Sequence, residues 1–239
     1  MMDELIYEKE QTLFMRDCDM YKRIKPSVVL AMFQDCSEAL TEGWGVGLEA
    51  MLKRDVIWVA AKVECSVLSR LPEHTETVLV RGWATRCRSG IFPFRYELLD
   101  RAGERLVEGC SMWVLSDLST HSMMGPNIPK ISLPTPEPEG TRLPRMTAIC
   151  PAVHPQYASR RVLFSEVDIN GHLTNTRYID WIMDLADSRF HETHPFKGLR
   201  IDYRRETFPE EEIALDWELT EERLWCASSG RFSAEIRFE

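Results

Sequence analysis

Apolar residues along the chain change their spacing in a pattern that predicts two similar units, each with one helix and one sheet. A stripe with the i, i+3, i+4, i+7 spacing of a one-sided helix begins at Val29, and a second begins at Tyr178. After each stripe, apolar and polar residues alternate with the period of two that is typical of strands with one buried face. The predicted strands span 57–67, 78–85, 92–99 and 105–115 in the first unit, and 199–207, 213–219 and 232–238 in the second.

The second unit repeats the first after a shift of 149 positions. This shift places Asp19 on Asp168 and the first helical stripe on the second, and only Arg189 breaks the apolar match. The paired stripes are Val29, Met32, Phe33, Cys36 and Leu40, and Tyr178, Trp181, Ile182, Leu185 and Arg189. Each unit predicts a strand, a long helix and an antiparallel sheet wrapped around that helix. Two such units in tandem predict an α+β fold that mimics a homodimer within one chain.

A proline-rich segment separates the two units. Eight of the 13 prolines fall between Pro126 and Pro155, where neither helical nor strand periodicity is visible. Such a composition predicts an extended linker on the surface. We therefore divide the chain into a first unit (residues 1–125), a linker (126–155) and a second unit (156–239).

Composition narrows the class of protein. The chain has 239 residues, of which 44% are hydrophobic and 28% charged, as in ordinary globular domains. Its net charge of -9 disfavours binding to the nucleic-acid backbone. No apolar run is long enough to span a membrane, and the first nine residues lack the layout of a signal peptide. Seven scattered cysteines without a C-x-x-C pair indicate a reducing compartment, so we expect a cytoplasmic protein.

The run 168–175 carries the strongest chemical signal. It places the carboxylate of Asp168, the amide of Asn170 and the imidazole of His172 within five residues, at the predicted start of the second helix. Free backbone N–H groups and the helix dipole at such a position can polarise a carbonyl group. The same residue types also form ordinary loops before helices, with Thr174 or Asn175 as the cap, so the run alone leaves a structural interpretation open.

With these residues in view, the chain resembles the acyl-ACP thioesterases, which are double hotdog enzymes of plastids and bacteria. Residues 168–179 are similar to the family's D-x-N-x-H-x-N-N-x-x-Y-I signature, residues 199–206 to its L-D-Y-R-R-E segment, and residues 57–59 to its I-W-V strand entry. The resemblance extends from about Phe14 to Leu219. It implies a tandem hotdog that hydrolyses the thioester of fatty acyl-ACP in fatty acid biosynthesis, with acyl carrier protein as the partner.

The resemblance also implies roles for individual residues. The family's catalytic Asp, Asn and His match Asp168, Asn170 and His172, and its catalytic Glu matches Glu206. By the family's arrangement, the first unit helps to form the acyl pocket. We expect substrate binding by Asn175, Tyr178, Met32, Phe33 and Trp58.

The chain departs from the family pattern at two positions near these residues. Thr207 stands where the plant enzymes commonly have a cysteine, which argues against a thiol mechanism here. Thr174 replaces the first asparagine of the N-N pair, so only Asn175 remains of that pair.

The first unit is degenerate at the matching loop. Tyr21 and Lys22-Arg23 stand where Asn170 and Gly171-His172 stand in the second unit. This difference predicts one active site per chain.

The residue types support hydrolysis by activated water. Our first assignment makes Glu206 the general base and Asp168 the group that orients the water or the neighbouring side chains, although the two roles could be exchanged. Two neighbouring carboxylates would push their pKa values apart. Asn170 would donate to the thioester carbonyl, together with backbone N–H groups at the helix start.

Several alternatives and expectations complete this interpretation. An acyl-CoA thioesterase of the same fold and a non-catalytic protein that binds acyl thioesters stay open, as do chain-length preference and a monomeric or homodimeric state. We expect neither a cofactor nor a metal, because the pair formed by His191 and His194 lacks H-E-x-x-H spacing. An acidic carrier protein would need a positive surface, for which the candidates are Arg81, Arg86, Arg88, Arg160 and Arg161.

Overall fold

A computed structural model describes residues 5–120, 122–124, 131–136, 146 and 148–239. Within these residues, ten strands form one antiparallel sheet in the order β1-β3-β4-β5-β2-β7-β10-β9-β8-β6. The strands of the first unit are β1 (Ile6–Thr12), β2 (Val56–Val67), β3 (Thr77–Ala84), β4 (Phe92–Leu99) and β5 (Arg105–Asp117). Those of the second are β6 (Gln156–Arg161), β7 (Phe196–Tyr203), β8 (Glu212–Leu219), β9 (Arg223–Ser228) and β10 (Phe232–Phe238).

The two units join in the middle of this sheet. Strand β2 pairs with β7, in a register that runs from Lys62 opposite Asp202 to Ser66 opposite Gly198. The helices are α1 (Pro26–Gly43), α2 (Leu48–Leu52), α3 (Arg177–Met183) and α4 (Ser188–Thr193). The predicted α+β class and tandem arrangement are confirmed.

Helix α1 forms because a proline suits its first turn and because one of its faces is apolar. Pro26 stands at its first turn, where a missing N–H costs nothing, and the stripe that includes Val29 and Phe33 is buried. Phe33 stacks on Tyr96 of β4 with ring centroids 4.7 Å apart. The same ring lies so close to Gly109 that a Cβ there would fall 2.2 Å from it, so helix and sheet pack closely only because residue 109 is glycine.

The helix of the second unit is shorter than the pattern predicts. The stripe that reaches Leu185 continues beyond α3, which ends at Met183. The chain turns there, and the side chain of Asp187 accepts a hydrogen bond from Phe190 N at 2.8 Å, which begins the separate helix α4. Neither Thr174 nor Asn175 caps α3, because its N-cap is Thr176, without a side-chain cap bond.

Most predicted strands are observed, with two differences. Strand β7 ends at Tyr203 rather than continuing to residue 207, because the N–H groups of Arg204 and Arg205 both turn to the carbonyl of Arg231. Strand β9 was not predicted, since its mixed sequence shows no clear alternation.

The proline-rich linker is only partly described, since residues 126–130, 137–145 and 147 lie outside the described residues. Of the remainder, Leu133 is buried in the hydrophobic core rather than lying on the surface. Near the end of the linker, Arg223 donates to the carbonyl of Cys150 and His154 N donates to Glu218 at 3.0 Å. These contacts attach the linker to strands β8 and β9.

Candidate active site

The loop that contains Asp168, Asn170 and His172 is a tight turn held by its own backbone. Asp168 N donates to His172 O at 2.9 Å, and Gly171 N donates to Asp168 O at 3.0 Å. Asp168 Oδ1 also accepts from Asn170 N at 2.8 Å. Gly171 has a φ of +79°, a conformation that favours glycine. The turn thus fixes the backbone on both sides of the imidazole, while the Asn170 side chain remains exposed.

The structure brings His172 and Glu206 together. Their Nε2 and Oε2 atoms lie 3.7 Å apart, and both side chains are mostly but not fully buried, with 18% and 26% exposed. The ring of Phe208 contacts the imidazole edge-on, at a centroid distance of 4.9 Å. This geometry leaves an imidazole and a carboxylate side by side and accessible to a small reactant.

Arg231 holds the turn that carries Glu206. Its Nη1 atom donates to the carbonyl of Glu206 at 2.9 Å, to Thr207 Oγ1 at 3.3 Å and to Glu211 Oε2 at 2.8 Å, and its Nη2 atom donates to Glu211 Oε1 at 3.1 Å. A hydrogen bond from Phe208 N and, to a smaller extent, one from Arg231 hold the pKa of the Glu211 carboxyl below its usual value. No local sequence pattern points to Arg231, which lies 20 to 25 positions along the chain from the residues it binds.

Thr207, at the position of the plant cysteine, is fully buried. Its hydroxyl oxygen accepts from the phenol of Tyr178 at 2.9 Å and from Arg231. Burial raises the pKa of the Tyr178 phenol, so this hydroxyl stays a donor at neutral pH. A buried oxygen already engaged by two donors is unsuited to attack a substrate.

A cavity partly open to solvent is lined by residues of both units, and its lining in the second unit begins at Asn175, three residues after His172. Asn175, Thr176 and Tyr203 line it from the second unit. The first unit contributes Leu30, Phe33, Gln34, Ala60, Val63, Tyr96, Ser111 and Trp113. Most of these side chains are apolar, which suits an acyl chain.

A buried chain of hydrogen bonds stiffens one wall of this cavity. Trp113 Nε1 donates to Ser111 Oγ at 2.8 Å, and that hydroxyl lies 2.6 Å from the phenol of Tyr96. The phenol donates in turn to Ser37 Oγ at 3.2 Å, and Ser37 donates to main-chain carbonyls of α1. These buried polar groups satisfy one another's hydrogen-bonding capacity, so none of them requires a hydrogen bond from a ligand.

The five expected substrate-binding residues occupy different places. Phe33 and Asn175 line the cavity. Met32 is buried in the core, Tyr178 is bonded to Thr207, and the indole of Trp58 donates to Val46 O at 2.8 Å. Sequence reasoning missed Gln34, whose signal is a polar residue directly beside a buried helical stripe.

The matching loop of the first unit keeps the backbone of the turn at 168–172 but not its chemistry. Asp19 N donates to Arg23 O at 2.8 Å, and Asp19 Oδ1 accepts from Tyr21 N at 2.8 Å. Lys22 has a φ of 68° at the position of the glycine. The two loops matched by the sequence repeat therefore share a backbone conformation but not their side-chain chemistry.

Side chains of this first-unit loop contact the second unit. The phenol of Tyr21 donates to the carbonyl of Ser188, and Arg23 Nη2 donates to the carbonyl of His191. Both acceptors belong to α4. At the positions of the amide and the imidazole in the second unit, the first unit thus has two side chains whose hydrogen bonds connect the units.

Ion pairs are formed by Arg81, Arg160 and Arg161. Arg81 binds Glu8 at 2.6 Å, Arg160 binds Asp184 at 2.9 Å, and Arg161 lies 3.8 Å from Glu210. Arg86 and Arg88 are exposed. Arg205, which was not among the candidates, is exposed directly beside Glu206.

The described residues contain no group of three or more His, Cys, Asp or Glu that could hold a metal ion. In the same part of the chain, no helix is long and apolar enough to cross a membrane.

A ten-stranded sheet built from two repeated units, with an Asp-Asn-His loop beside a glutamate, is the arrangement of a double hotdog protein. The chain belongs to the acyl-ACP thioesterase family: the model of its N-terminal domain matches residues 4–125, and that of its C-terminal domain matches residues 153–235. Each unit of the repeat is thus matched by one of the two domain models of the family.

Curated relatives are plant enzymes. Acyl-[acyl-carrier-protein] hydrolase FATB2 of Cuphea viscosissima is 28% identical over 173 residues, which cover 65% of this chain and 40% of the relative. Dodecanoyl-[acyl-carrier-protein] hydrolase of Cinnamomum camphora is 29% identical over 180 residues, which cover 70% of this chain and 45% of the relative. The chain therefore matches less than half the length of these proteins.

Solved structures show the same fold. An acyl-ACP thioesterase from Bacteroides thetaiotaomicron superposes with a TM-score of 0.83 at 18% identity, covering 98% of both chains. The 12:0-ACP thioesterase from Umbellularia californica gives a TM-score of 0.77 at 18% identity, covering 100% of this chain and 98% of the other.

Proposed function

We propose that this protein hydrolyses the thioester bond of a fatty acyl-ACP, releasing free fatty acid and the carrier protein. The observation that carries the proposal is the 3.7 Å approach of His172 to Glu206, beside the Asp168 turn, in a member of the acyl-ACP thioesterase family. The mostly apolar cavity, whose lining includes Asn175 and Thr176 close after His172 in the chain, supports an acyl substrate.

The mechanism we propose uses one water molecule. The Glu206 carboxylate accepts a proton from water, and the resulting hydroxide adds to the thioester carbonyl carbon. The tetrahedral oxyanion then collapses, the carbon–sulfur bond breaks, and the pantetheine thiolate takes back the proton from Glu206. Asp168 shapes the turn and orients the imidazole, and His172 orients the water; exchange of the two carboxylate roles is the competing version.

Donors for the oxyanion would come from single groups rather than from a helix dipole. Helix α3 has only seven residues, so its dipole contributes little. The side chain of Asn170 is exposed and available, and the N–H groups of Asn175 and Thr176 lie at the cavity, with no partner among the described residues. Removing one such donor typically raises the barrier by about 3 kcal/mol.

We further propose that the two units divide the work. Residues 1–125 would supply most of the acyl pocket and residues 156–239 the catalytic groups, with 126–155 as the connection. The cavity lining supports this division, since eight of its eleven residues belong to the first unit. All seven cysteines are free, which supports a location in the cytoplasm.

The test is hydrolysis of a panel of acyl-ACPs of increasing chain length by the purified protein, with matching acyl-CoAs in parallel. We expect release of free acid from acyl-ACP, with slower turnover of acyl-CoA. Equal or faster turnover of acyl-CoA would favour the acyl-CoA thioesterase. Tight binding of acyl-ACP without release of acid would favour the non-catalytic binding protein.

A further inference from the structure

Gln34 is a polar side chain that the first unit presents to the cavity between the two units. It lies on α1, directly after Phe33, and is half-buried. In the cavity lining it is accompanied by Asn175 and Thr176 from the second unit, and by Leu30 and Phe33 from the same helix. The lining around Gln34 therefore combines polar and apolar residues.

The amide group of Gln34 has unused hydrogen-bonding capacity. Among the described residues, no hydrogen bond is made by its side chain, although its main-chain carbonyl accepts from Ser37 Oγ at 3.0 Å. Asn175 shows the same pattern, because its carbonyl accepts from Tyr203 at 2.8 Å while its side-chain amide has no partner in the described part of the chain. Each amide carries two N–H donors and one carbonyl acceptor, so both can bind a ligand at this position.

We infer that Gln34 binds the thioester end of the acyl-pantetheine chain, with its Nε2 group donating to the substrate carbonyl oxygen from the side opposite Asn175. The inference rests on the proposed function. Its chemical basis is that the substrate must place one polar carbonyl group at the end of a long apolar chain. The cavity lining offers two carboxamides beside apolar side chains. The first unit, which lacks catalytic residues of its own, thereby contributes directly to the active site.

This contact strengthens as negative charge develops on the carbonyl oxygen, so its loss lowers kcat and also weakens binding of the ground state. In the ground state, one neutral hydrogen bond corresponds to a change in affinity of about threefold to tenfold. For Gln34→Leu and for the isosteric Gln34→Glu, which removes the donor but keeps the size, we therefore expect analogue affinity to fall within this range and kcat/KM to fall by at least as much.

The experiment measures kcat and KM of the full chain with acyl-ACP, and calorimetric binding of an amide-linked analogue of the same acyl-ACP, which keeps the carbonyl oxygen but resists hydrolysis. Gln11→Leu, at a half-buried glutamine of β1 outside the cavity lining, is the matched control. Thermal unfolding of every variant separates loss of structure from loss of contact, and Gln34→Glu tests the contact if the leucine variant is unstable.

Each outcome decides the inference. Weaker analogue binding and a lower kcat/KM for both Gln34 variants, with Gln11→Leu unchanged, support it. An active wild type with unchanged kcat/KM and analogue binding in both variants overturns it and leaves the proposed function intact. A wild type that binds the analogue without hydrolysing acyl-ACP overturns the proposed function alone, and the binding data still judge Gln34. A wild type that neither binds nor hydrolyses overturns both.

Discussion

The Nε2 atom of His172 and the Oε2 atom of Glu206 lie 3.7 Å apart, although the two residues are far apart in the chain. The turn at 168–172 presents the imidazole, and the turn after β7 presents the carboxylate. Because the distance exceeds a direct hydrogen bond, a small rearrangement or one water molecule could connect the two groups.

If Glu206 is the general base, Glu206→Gln should lower kcat by about 10² to 10⁴ while KM changes little. Asp168→Asn should lower kcat less, because Asp168 acts through the shape and orientation of the turn. The measurement is steady-state kinetics with acyl-ACP over a range of pH. Glu212→Gln, at an exposed glutamate at the start of β8, is the matched control. A larger loss in Asp168→Asn than in Glu206→Gln would assign the base to Asp168.

Arg231 should position Glu206 without touching substrate. Arg231→Gln removes the donors to the Glu206 carbonyl, Thr207 and Glu211, and we expect a loss of about 1–2 kcal/mol in the free energy of unfolding, since the site is partly exposed. We also expect a lower kcat from the displaced carboxylate, with partial recovery in Arg231→Lys. Urea unfolding and kinetics check both effects.

Arg237→Gln serves as the control for Arg231, because the guanidinium of Arg237 donates to Ser66 of β2 at 3.0 Å rather than to the turn that carries Glu206. A variant at position 231 with reduced stability but unchanged kcat and pH profile would show a purely structural role.

Glu211 should make stability depend on pH in the acid range. Its folded-state pKa is lowered by hydrogen bonds from Phe208 N and Arg231, relative to about 4.5 when unfolded. The ionised form therefore stabilises the fold above that value, and the contribution disappears as pH falls through the lower folded-state pKa. Glu211→Gln should thus lower the urea midpoint at neutral pH and have a smaller effect in strong acid. An equal effect at all pH values would contradict this account.

The cavity wall at Ala60 should influence acyl chain length. Ala60 is buried on β2 and lines the cavity, so Ala60→Leu should fill part of the space and shift preference toward shorter acyl chains. The acyl-ACP panel measures this shift as a ratio of kcat/KM values. Ala214→Leu, at an exposed alanine of β8, should leave the profile unchanged. An unaltered profile in Ala60→Leu would place the acyl chain elsewhere.

Much of the fold could be predicted because it depends on local periodicity. Strands β4 and β10 match their predicted bounds, since alternation of apolar and polar residues continues to their ends. The end of β7 could not be predicted, because it depends on the distant carbonyl of Arg231. Helix α3 likewise stops where Asp187 and contacts from the first unit begin a new element.

The site divides in the same way. The turn at 168–172 could be read from a contiguous motif, and Glu206 from a second one. Gln34 and Arg231 could not be identified, because their significance arises only when α1 and β10 pack against the motif-bearing turns. Local sequence thus predicts the turns and their motif residues, whereas tertiary packing decides which distant side chains contact those residues.

The degenerate loop of the first unit should act as a structural clamp. Tyr21→Phe removes the hydroxyl that donates to the Ser188 carbonyl of α4. The loss of one partly exposed hydrogen bond should cost about 1 kcal/mol, or about 2–4 °C in Tm for a chain of this size. Because Tyr21 belongs to the unit without catalytic residues, kcat and KM for acyl-ACP should stay at wild-type values. Tyr157→Phe, at a tyrosine with 81% of its surface exposed, is the control and should change neither quantity. A fall in kcat for Tyr21→Phe without a change in Tm would instead assign the first-unit loop a part in the reaction.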